Sequence, residues 1–495
     1  MMKRAIVLIL IILMALPLGI QVSAAEESHP WQEESVYRIQ VDRFMNGTNE
    51  NDQTVSPEDP EAYHGGDLQG VIDQLGYIKE LGFTAIELSP IVSNSEDGAH
   101  GFAVDDFRAV EERFGTMEKA KELVEEAHSK DLKVILDFPI SYASNEHPWM
   151  EDESKDGWFL NEEEWVPTNV WQEGLPELDT SVPDVRKYLV DAASFWVNET
   201  GVDGLRLAAS PNVDTAFYQS MAKEVQSPDF FLFSNTKPDP ETVTEGYLDG
   251  FSDQRYQQEI RKSFAQFDRP LNELYSLYEQ NEELYSEGVP VHAIDDGTDA
   301  RFTHLAVKEG QNPVTRWKLA LTYLFTSPGV PVMNYGTEVP LDDGGTLGDI
   351  RMMNFKMSDE QIEERIENLT SMRKQFKALT HGDYQLLHKE DGFAVFKRTY
   401  EGESVVVAVN NSSETKVMKM ENMEEGQQLR GLLQDGMVRQ QKDGTYRLGM
   451  ERETADVFIV EEDTGYNWLF IGFVGGVLSL FVIGVTAVSI KNRKE

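Results

Sequence analysis

The chain has 495 residues, enough for two to four domains and a large core. Its 44 basic and 87 acidic residues give a net charge of −43, which argues against nucleic acid or an anionic membrane surface as a partner because both would be repelled. An acidic surface that keeps an exported protein soluble explains the same charge. The absence of cysteine excludes disulfides, thiolate metal sites and cysteine nucleophiles.

The first residues have the pattern of a secretory signal peptide. A basic start, MMKR, precedes a long apolar run, and VSA at 22–24 offers a small-residue cleavage site. We therefore predict a signal peptide over 1–24 and an exported chain that begins near Ala25.

Eight short runs rich in β-branched and aromatic residues alternate with amphipathic helical patterns between about 35 and 336. In chain order the runs are SVYRIQV, FTAIELSP, KVILDFPI, GVDGLRLAA, FFLFSN, YLDGFSD, GVPVHAID and GVPVMNYG. Such alternation predicts an α/β fold, a (β/α)8 TIM barrel over 25–380, with its active site at the C-terminal ends of the strands.

A long segment, 141–180, follows the third predicted strand and is rich in Trp and Glu. We predict that it forms an inserted subdomain. Its four tryptophans could stack on sugar rings, although a small hydrophobic core is the more common use of such residues. They are Trp149, Trp158, Trp165 and Trp171.

The pattern changes after about residue 380. Short strands such as AVFKRTY, SVVVAVNN and ADVFIVEE predict a C-terminal antiparallel β-sandwich over 381–462. The run 468–490 then contains no charged residue and is followed by KNRKE, which predicts a transmembrane helix over 468–490 and a cytoplasmic tail over 491–495. The chain would then be a single-pass protein of the cell membrane, with its bulk extracellular; a buried core helix fits the length and position of the run less well.

Several long stretches, in order from about residue 30 to 460, resemble the α-amylase family, glycoside hydrolase family 13. They include VYRIQVDRFMNG, YHGGDLQGVIDQLGYIKELGFTAIELSPI, HGFAVDDFRAVEERFG, KVILDFPIS, LPELDTSVPDVRKYL, GVDGLRL and SPGVPVMNYGTE. The resemblance implies a role in carbohydrate metabolism. It also implies a barrel, an inserted domain after the third strand and a C-terminal β-sandwich, which agrees with the pattern of the residues.

The family resemblance also implies retaining glycosidase chemistry, which needs a nucleophile and a general acid/base. Members of the family add a third carboxylate that stabilises the transition state. In this sequence the corresponding positions are Ala208 in GLRLAAS, Asn235 in FLFSNTK and Thr298 in AIDDGTDARFTH. None of the three carries a carboxylate. We therefore predict no catalytic residue at these vacant positions, with only Phe102 and Arg206 left to bind substrate.

Further substitutions surround these positions. Relative to the family, Ser141 and Tyr142 replace an Asn and a His, Asn212 replaces a His, and Ala103 replaces an acid. An arginine buried without a counter-charge is costly, so we expect Arg206 to pair with a carboxylate, at Asp137, Asp295 or Asp296.

A calcium site is expected near the start of the barrel. Oxygen atoms of Asn46, Asn51, Asp52 and Asp67 resemble a calcium site of many family members and suit a hard cation. A turn-rich surface loop whose Asn and Asp side chains only satisfy backbone groups is the alternative. We expect the family's second calcium position to be lost, because it needs the side chains replaced at 141 and 212.

The function we predict is that of a membrane-anchored, extracellular α-amylase-like pseudoenzyme that binds an α-glucan or maltooligosaccharide, or a protein partner at the cell surface. One alternative is an active α-glucan hydrolase or transferase that uses a displaced carboxylate, with Asp296 as the best candidate. A structural envelope protein is the other.

Overall fold

The computed structural model describes residues 31–60, 62–345, 351–420, 423, 426–463, 465 and 468–492. The expected signal peptide over 1–24 lies outside the described residues.

Eight parallel strands close into a barrel with the strand order β1-β10-β9-β8-β7-β6-β5-β2. Each lies within one of the eight runs expected from the sequence, so the (β/α)8 barrel is confirmed. A cluster built almost wholly from strand side chains, including Val36, Ile135 and Val332, fills the interior. The barrel strands are β1 (Val36–Ile39), β2 (Ala85–Leu88), β5 (Lys133–Pro139), β6 (Gly204–Ala208), β7 (Phe231–Ser234), β8 (Gly250–Ser252), β9 (Val289–Ala293) and β10 (Val330–Asn334).

Amphipathic helices surround the strands. In the helix Met117–His128 the buried residues are Ala120, Leu123, Val124 and Ala127, which lie on one face, and Thr116 caps the first turn. The helices are α1 (Val41–Phe44), α2 (Leu68–Glu80), α3 (Met117–His128), α4 (Pro183–Thr200), α5 (Thr215–Val225), α6 (Pro240–Thr244), α7 (Gln254–Phe264), α8 (Asn272–Glu287), α9 (Phe302–Lys308), α10 (Pro313–Thr326), α11 (Glu360–Gln375) and α12 (Lys377–His381).

Two excursions leave the barrel at the carboxyl ends of its strands. A hairpin of β3 (Val92–Asn94) and β4 (Val104–Val110) follows β2. The segment 141–180 follows β5 and contains short 3-10 turns and two isolated bridges, Tyr142–Glu177 and Phe159–Leu178. Both excursions therefore lie beside the end of the barrel at which TIM-barrel enzymes place their active sites.

The C-terminal part is an antiparallel sheet of six strands in the order β11-β12-β13-β18-β15-β16, beside a two-stranded sheet of β14 and β17. Apolar side chains of both sheets, such as Phe393, Met418 and Leu448, form one cluster between them. The expected C-terminal antiparallel architecture is thus confirmed. The strands are β11 (Asp383–Glu390), β12 (Phe393–Tyr400), β13 (Glu403–Asn410), β14 (Lys416–Met420), β15 (Gln427–Gly431), β16 (Met437–Arg439), β17 (Tyr446–Met450) and β18 (Thr454–Glu462).

The end of the chain requires a correction. Residues Trp468–Asn492 form a helix, α13, whose side chains are described over 472–486. A membrane span needs about 20 consecutive apolar residues, and among the described residues no helix is long and apolar enough to cross a membrane. The expected transmembrane helix over 468–490 is therefore wrong, as is the single-pass location at the cell membrane with its extracellular and cytoplasmic sides. The membrane as a partner through this helix is not supported.

Candidate active site

The three vacant positions lie at or just after the carboxyl ends of barrel strands. Ala208 is the last residue of β6, Asn235 directly follows β7, and Thr298 lies in the loop after β9. A small cavity at the barrel mouth is lined by Asn235, Thr298, Arg206 and Phe102. Ala208 is not among the lining residues and is 1% exposed. The structure thus brings four of the five expected site residues to one cavity and buries the fifth.

Apolar side chains cover Ala208. Phe102, Tyr142 and Leu175 form a buried cluster with it, together with Ala103. The Tyr142 hydroxyl donates a hydrogen bond to the Val166 carbonyl oxygen at 2.8 Å, which fixes the ring over the strand end. Position 208 is therefore part of a small hydrophobic core that has no polar group to activate a nucleophile.

The other two vacant positions hold polar side chains that bond to the protein itself. The Asn235 side-chain oxygen accepts a hydrogen bond from the Ala209 backbone N–H at 2.9 Å. Thr298 donates from its backbone N–H and its hydroxyl to one carboxylate oxygen of Asp296, at 3.0 and 2.7 Å. Neither an amide nor a threonine hydroxyl can act as the general acid of glycoside hydrolysis, because neither ionises near neutral pH.

Arg206 pairs with Asp137, the first of the three carboxylates expected for it. Its Nε also lies 3.7 Å from Glu87 Oε1, and Glu87 accepts a hydrogen bond from Arg38 Nε at 2.6 Å. Burial raises the pKa of Asp137 to about 6, against the lowering effect of the Arg206 charge. Two ion pairs, Arg206 with Asp137 and Arg38 with Glu87, therefore lie at the mouth of the barrel and balance one another's charges.

The neighbouring acids differ from one another. Asp295 is buried and contacts Arg261 Nη1 at 3.0 Å and Arg301 Nε at 3.2 Å, so it supports the loop after β9. Asp296 lines the cavity at the mouth. Burial raises the pKa of Asp296, but the two hydrogen bonds from Thr298 and the charges of Arg38 and Arg261 together outweigh it and leave this pKa below its ordinary value. Asp296 is therefore ionised and has no proton to give.

Three stacked rings form the roof of the mouth. Trp171 lies 6.0 Å from the His100 ring and 6.1 Å from the Phe102 ring, at interplanar angles of 6° and 20°. Its indole also approaches the loop after β9, because a Cβ added to Gly297 would lie 3.2 Å from the indole. Beneath this roof two adjoining cavities each measure about 40 Å³, far below the roughly 300–1,000 Å³ of ordinary ligand pockets.

The remaining tryptophans of 141–180 have other surroundings. Trp149 and Trp158 pack edge to face, with ring centroids 4.7 Å apart, and both contact Tyr188 of α4. Trp165 donates from its indole N–H to the Leu160 carbonyl oxygen at 3.0 Å. Trp149 and Trp158 thus form a small core, whereas Trp171 alone among the four lines the cavity at the mouth.

Three charged or imidazole side chains that line the cavity with Arg206 and Phe102 were not identified from the sequence. They are Arg38 and Glu87, which form the second buried ion pair, and His100, whose pKa burial lowers to about 4. A single charge within a short apolar strand, as in VYRI of β1 and AIEL of β2, is the signal that could have indicated the pair. No comparable local signal marks His100.

The expected calcium residues meet in the loop before α2. Asp67 caps α2 and accepts hydrogen bonds from the backbone N–H groups of Gly47, Thr48 and Gly70. Asn46 donates to one Asp52 oxygen at 2.8 Å. The second oxygen of Asp52 and the side-chain oxygen of Asn51 are buried with no hydrogen-bond partner in the described part of the chain. Two orphaned hard oxygens fit a Ca²⁺ ion, whereas Asp67 serves mainly as a helix cap.

The residues at the family's second calcium position take part in a hydrogen-bond network. The Ser141 hydroxyl oxygen accepts from the Ser210 backbone N–H at 2.8 Å. Asn212 donates to Glu177 Oε1 at 3.0 Å, and the Ser210 hydroxyl donates to the same carboxylate oxygen. These side chains therefore satisfy one another, and the loss of the second calcium site stays a prediction.

Comparisons with known proteins agree with this geometry. Residues 38–291 match the family model described as the alpha-amylase catalytic domain, and residues 382–458 match the alpha-amylase C-terminal domain. A beta/alpha-amylase of Paenibacillus polymyxa is 30% identical over 439 residues, which are 82% of this chain but only 36% of that protein. A cyclomaltodextrinase of Thermoanaerobacter pseudethanolicus is 29% identical, over 79% of this chain and 72% of that protein.

Two solved structures are similar over their full length. An Anoxybacillus α-amylase is 42% identical with a TM-score of 0.82, and it matches 88% of this chain and 100% of its own. An α-amylase of Geobacillus thermoleovorans, solved with acarbose, is 40% identical with a TM-score of 0.80 and the same coverage. At this identity and coverage the likeness extends to the whole barrel and the C-terminal sheet.

Proposed function

Because this chain belongs to the α-amylase family, we propose that it is a member without glycosidase activity that binds α-glucan at the mouth of its barrel. The absence of glycosidase activity is inferred from three side chains at or after the ends of barrel strands, those of Ala208, Asn235 and Thr298. None of them can attack an anomeric carbon as a carboxylate or protonate a leaving oxygen. Ala208 is in addition buried under aromatic rings.

The geometry of the mouth supports the same conclusion. The cavities beneath the roof, about 40 Å³ each, are too small for a sugar residue. A glucan would therefore lie across the rim, against the half-exposed indole of Trp171, rather than enter the barrel. The relative of Geobacillus thermoleovorans, whose structure holds acarbose, supports an α-glucan as the ligand.

A second candidate function is hydrolysis by displaced carboxylates, and one observation favours it. Asp137 and Asp296 line the same cavity, and their pKa values are shifted in opposite directions, the former to about 6. Such a split is typical of paired acid and base groups. Against it, Asp137 is held by Arg206 and is 5% exposed, so it has little access to a glycosidic oxygen.

Activity and binding measurements on the full chain test the proposal together. We expect no reducing sugar from starch or maltooligosaccharides. Calorimetry should show that maltooligosaccharide binds to the wild type and binds about tenfold more weakly to Trp171→Ala, since stacking on an aromatic ring contributes roughly 1 kcal/mol or more. Trp165→Ala is the matched control, because Trp165 lies in the same segment and does not line the cavities.

Two outcomes would contradict the proposal. Release of reducing sugar that disappears in Asp296→Ala would establish the displaced-carboxylate enzyme instead. A wild type that neither hydrolyses nor binds oligosaccharide would exclude glucan binding and leave a protein partner or a structural role.

We also propose that the loop before α2 holds one Ca²⁺ ion. The buried, unpartnered side-chain oxygens of Asn51 and Asp52 support this, since each would gain a partner. A bound ion would fix the loop against the start of the helix and so add to the stability of the barrel.

A further inference from the structure

The largest of the clefts described lies at the opposite end of the barrel from the candidate active site. It measures about 650 Å³ and is lined by residues that precede β1, β2, β5 and β6 or lie at the ends of α2, α3 and α11. This is the amino-terminal face of the strands, which the glycosidase resemblance leaves without a function. The volume lies within the roughly 300–1,000 Å³ typical of small-molecule sites.

The cleft collects positive charge on a strongly acidic protein. The acids of its lining largely have partners of their own: Glu34 contacts Lys133 at 3.1 Å, and Asp203 contacts His128 at 2.9 Å. Glu33 is likewise contacted by Lys377. The charged residues of the lining that remain are three basic ones, Lys79, Arg373 and Lys374, and one acid, Asp131.

Arg373 is the most unusual of these cations. It is 2% exposed, and its guanidinium donates only to backbone carbonyl oxygens, those of Gln32, Phe325, Gly329 and Leu379. Its Nε has no hydrogen-bond partner, and no carboxylate among the described residues forms an ion pair with it. Burial, with a smaller effect of the nearby Arg398 charge, lowers the pKa of Arg373 to about 9. The nearby carboxylates of Glu34 and Glu33 oppose this lowering of the pKa but form no ion pair with Arg373 among the described residues. A ligand anion close to the guanidinium would therefore stabilise its charge further.

The two lysines extend the same unbalanced charge toward solvent. Lys79 donates to the Asp131 carbonyl oxygen at 2.9 Å, which leaves its charge without a carboxylate. Lys374 makes no hydrogen bond or ion pair within the described ranges, and burial followed by repulsion from Lys79 lowers its pKa. Both lysines lie in or next to the last turn of a helix, where the helix dipole favours cations. The helix dipole also favours Arg373, which lies in the last turn of α11 beside Lys374.

We propose that this cleft is a binding site for a small anion bearing a phosphate group, which Lys79 and Lys374 contact and to which the buried guanidinium of Arg373 contributes its positive charge. Two ammonium groups match the acceptor oxygens of a phosphate, and the guanidinium, whose Nη hydrogens are all donated to backbone carbonyls, adds a third positive charge nearby. The site is separate from the barrel mouth and does not depend on glucan binding there. The same chemistry serves free phosphate and a phosphorylated sugar.

Calorimetric titration of the full chain at constant ionic strength tests the site. One arm uses inorganic phosphate and the other uses glucose 6-phosphate. We expect the double variant Lys79→Gln/Lys374→Gln to bind at least about tenfold more weakly than the wild type, because two charge-assisted contacts are lost. The matched control is Lys187→Gln/Lys262→Gln, which removes the same charge from exposed helix positions.

Each result has a definite meaning. Tighter binding of glucose 6-phosphate supports a phosphorylated sugar as the ligand, and equal binding supports free phosphate. Failure of the wild type to bind either anion, or an equal loss in both double variants, would overturn the proposal. Neither lysine lies near the barrel mouth, so maltooligosaccharide binding should be unchanged in the lysine variants. The proposal of an anion site and the proposal of glucan binding at Trp171 can therefore be refuted separately.

Discussion

The ion pair of Asp137 and Arg206 is buried, and the pKa of Asp137 rises to about 6. The pKa of this carboxyl is higher in the folded state than in the unfolded state. At a pH between these two values the carboxyl is protonated in the folded protein and ionised in the unfolded chain. Unfolding then releases a proton, so this group makes the folded state less stable as pH rises from about 4 to 6. Above about pH 6 the effect is complete.

Replacement of the carboxyl by an amide removes this titration. Relative to Asp137→Asn, the wild type should lose up to about 3 kcal/mol of unfolding free energy between about pH 4 and pH 6. Urea unfolding at a series of pH values measures the difference. Asp191→Asn, on the exposed side of α4, should run parallel to the wild type. Parallel curves for Asp137→Asn and the wild type would show that Asp137 titrates normally.

At the start of α2, one loop combines a helix cap with the proposed calcium ligands. Asp67 is fully buried and accepts three backbone N–H groups, which secures both the loop and the first turn of the helix. Asp52 has one hydrogen-bonded oxygen and one without a partner. The two carboxylates therefore have different consequences for stability.

Thermal unfolding with calcium and with chelator separates the two roles. Asp67→Ala should lose about 2 kcal/mol or more with or without calcium, because three backbone N–H groups, that of Gly70 buried, lose their acceptor. Asp52→Ala should change little in chelator but should abolish the rise in Tm that calcium gives the wild type. A wild-type Tm that does not respond to calcium would exclude the proposed ion.

Over the whole molecule, the barrel and the C-terminal sheet share one continuous core, which includes Phe325 of α10 and Phe396 of β12. A buried polar contact crosses the same boundary. Asn411 donates to the carbonyl oxygens of Ser263, in the last turn of α7, and of Gln266, just after it, and accepts from Arg316 Nη1 at 2.7 Å. The two parts should therefore unfold together.

Calorimetry of Asn411→Ala tests this coupling. The variant removes the Asn411 donor from the Ser263 and Gln266 carbonyl oxygens and leaves the buried guanidinium of Arg316 with Glu453 as its remaining partner. We therefore expect a loss of about 3 kcal/mol and a single transition at a lower Tm. Asn198→Ala, which removes an exposed asparagine of α4, is the control and should change the free energy of unfolding by less than about 0.5 kcal/mol. Two separated transitions in the wild type would contradict the shared core.

Local sequence was enough to determine the barrel. Each barrel strand is a short apolar run, and each helix such as α3 has its apolar residues on one face, so periodicity alone located both. The sequence also shows no carboxylate at Ala208, Asn235 and Thr298, and the family resemblance alone carries the prediction that these are the catalytic positions. The pairing of Arg206 with an acid followed from the cost of a buried, unpaired charge.

Only the tertiary structure decided what surrounds those positions. Trp171 closes over Phe102 and His100 because the segment 141–180 folds back onto the mouth, and no local pattern encodes that contact. Likewise Lys79 and Arg373 are far apart in the chain and meet in one cleft because barrel closure brings α2 and α11 together. Periodicity reports which face of an element is apolar, whereas pockets and charge clusters arise from contacts between distant segments, which depend on how those elements pack.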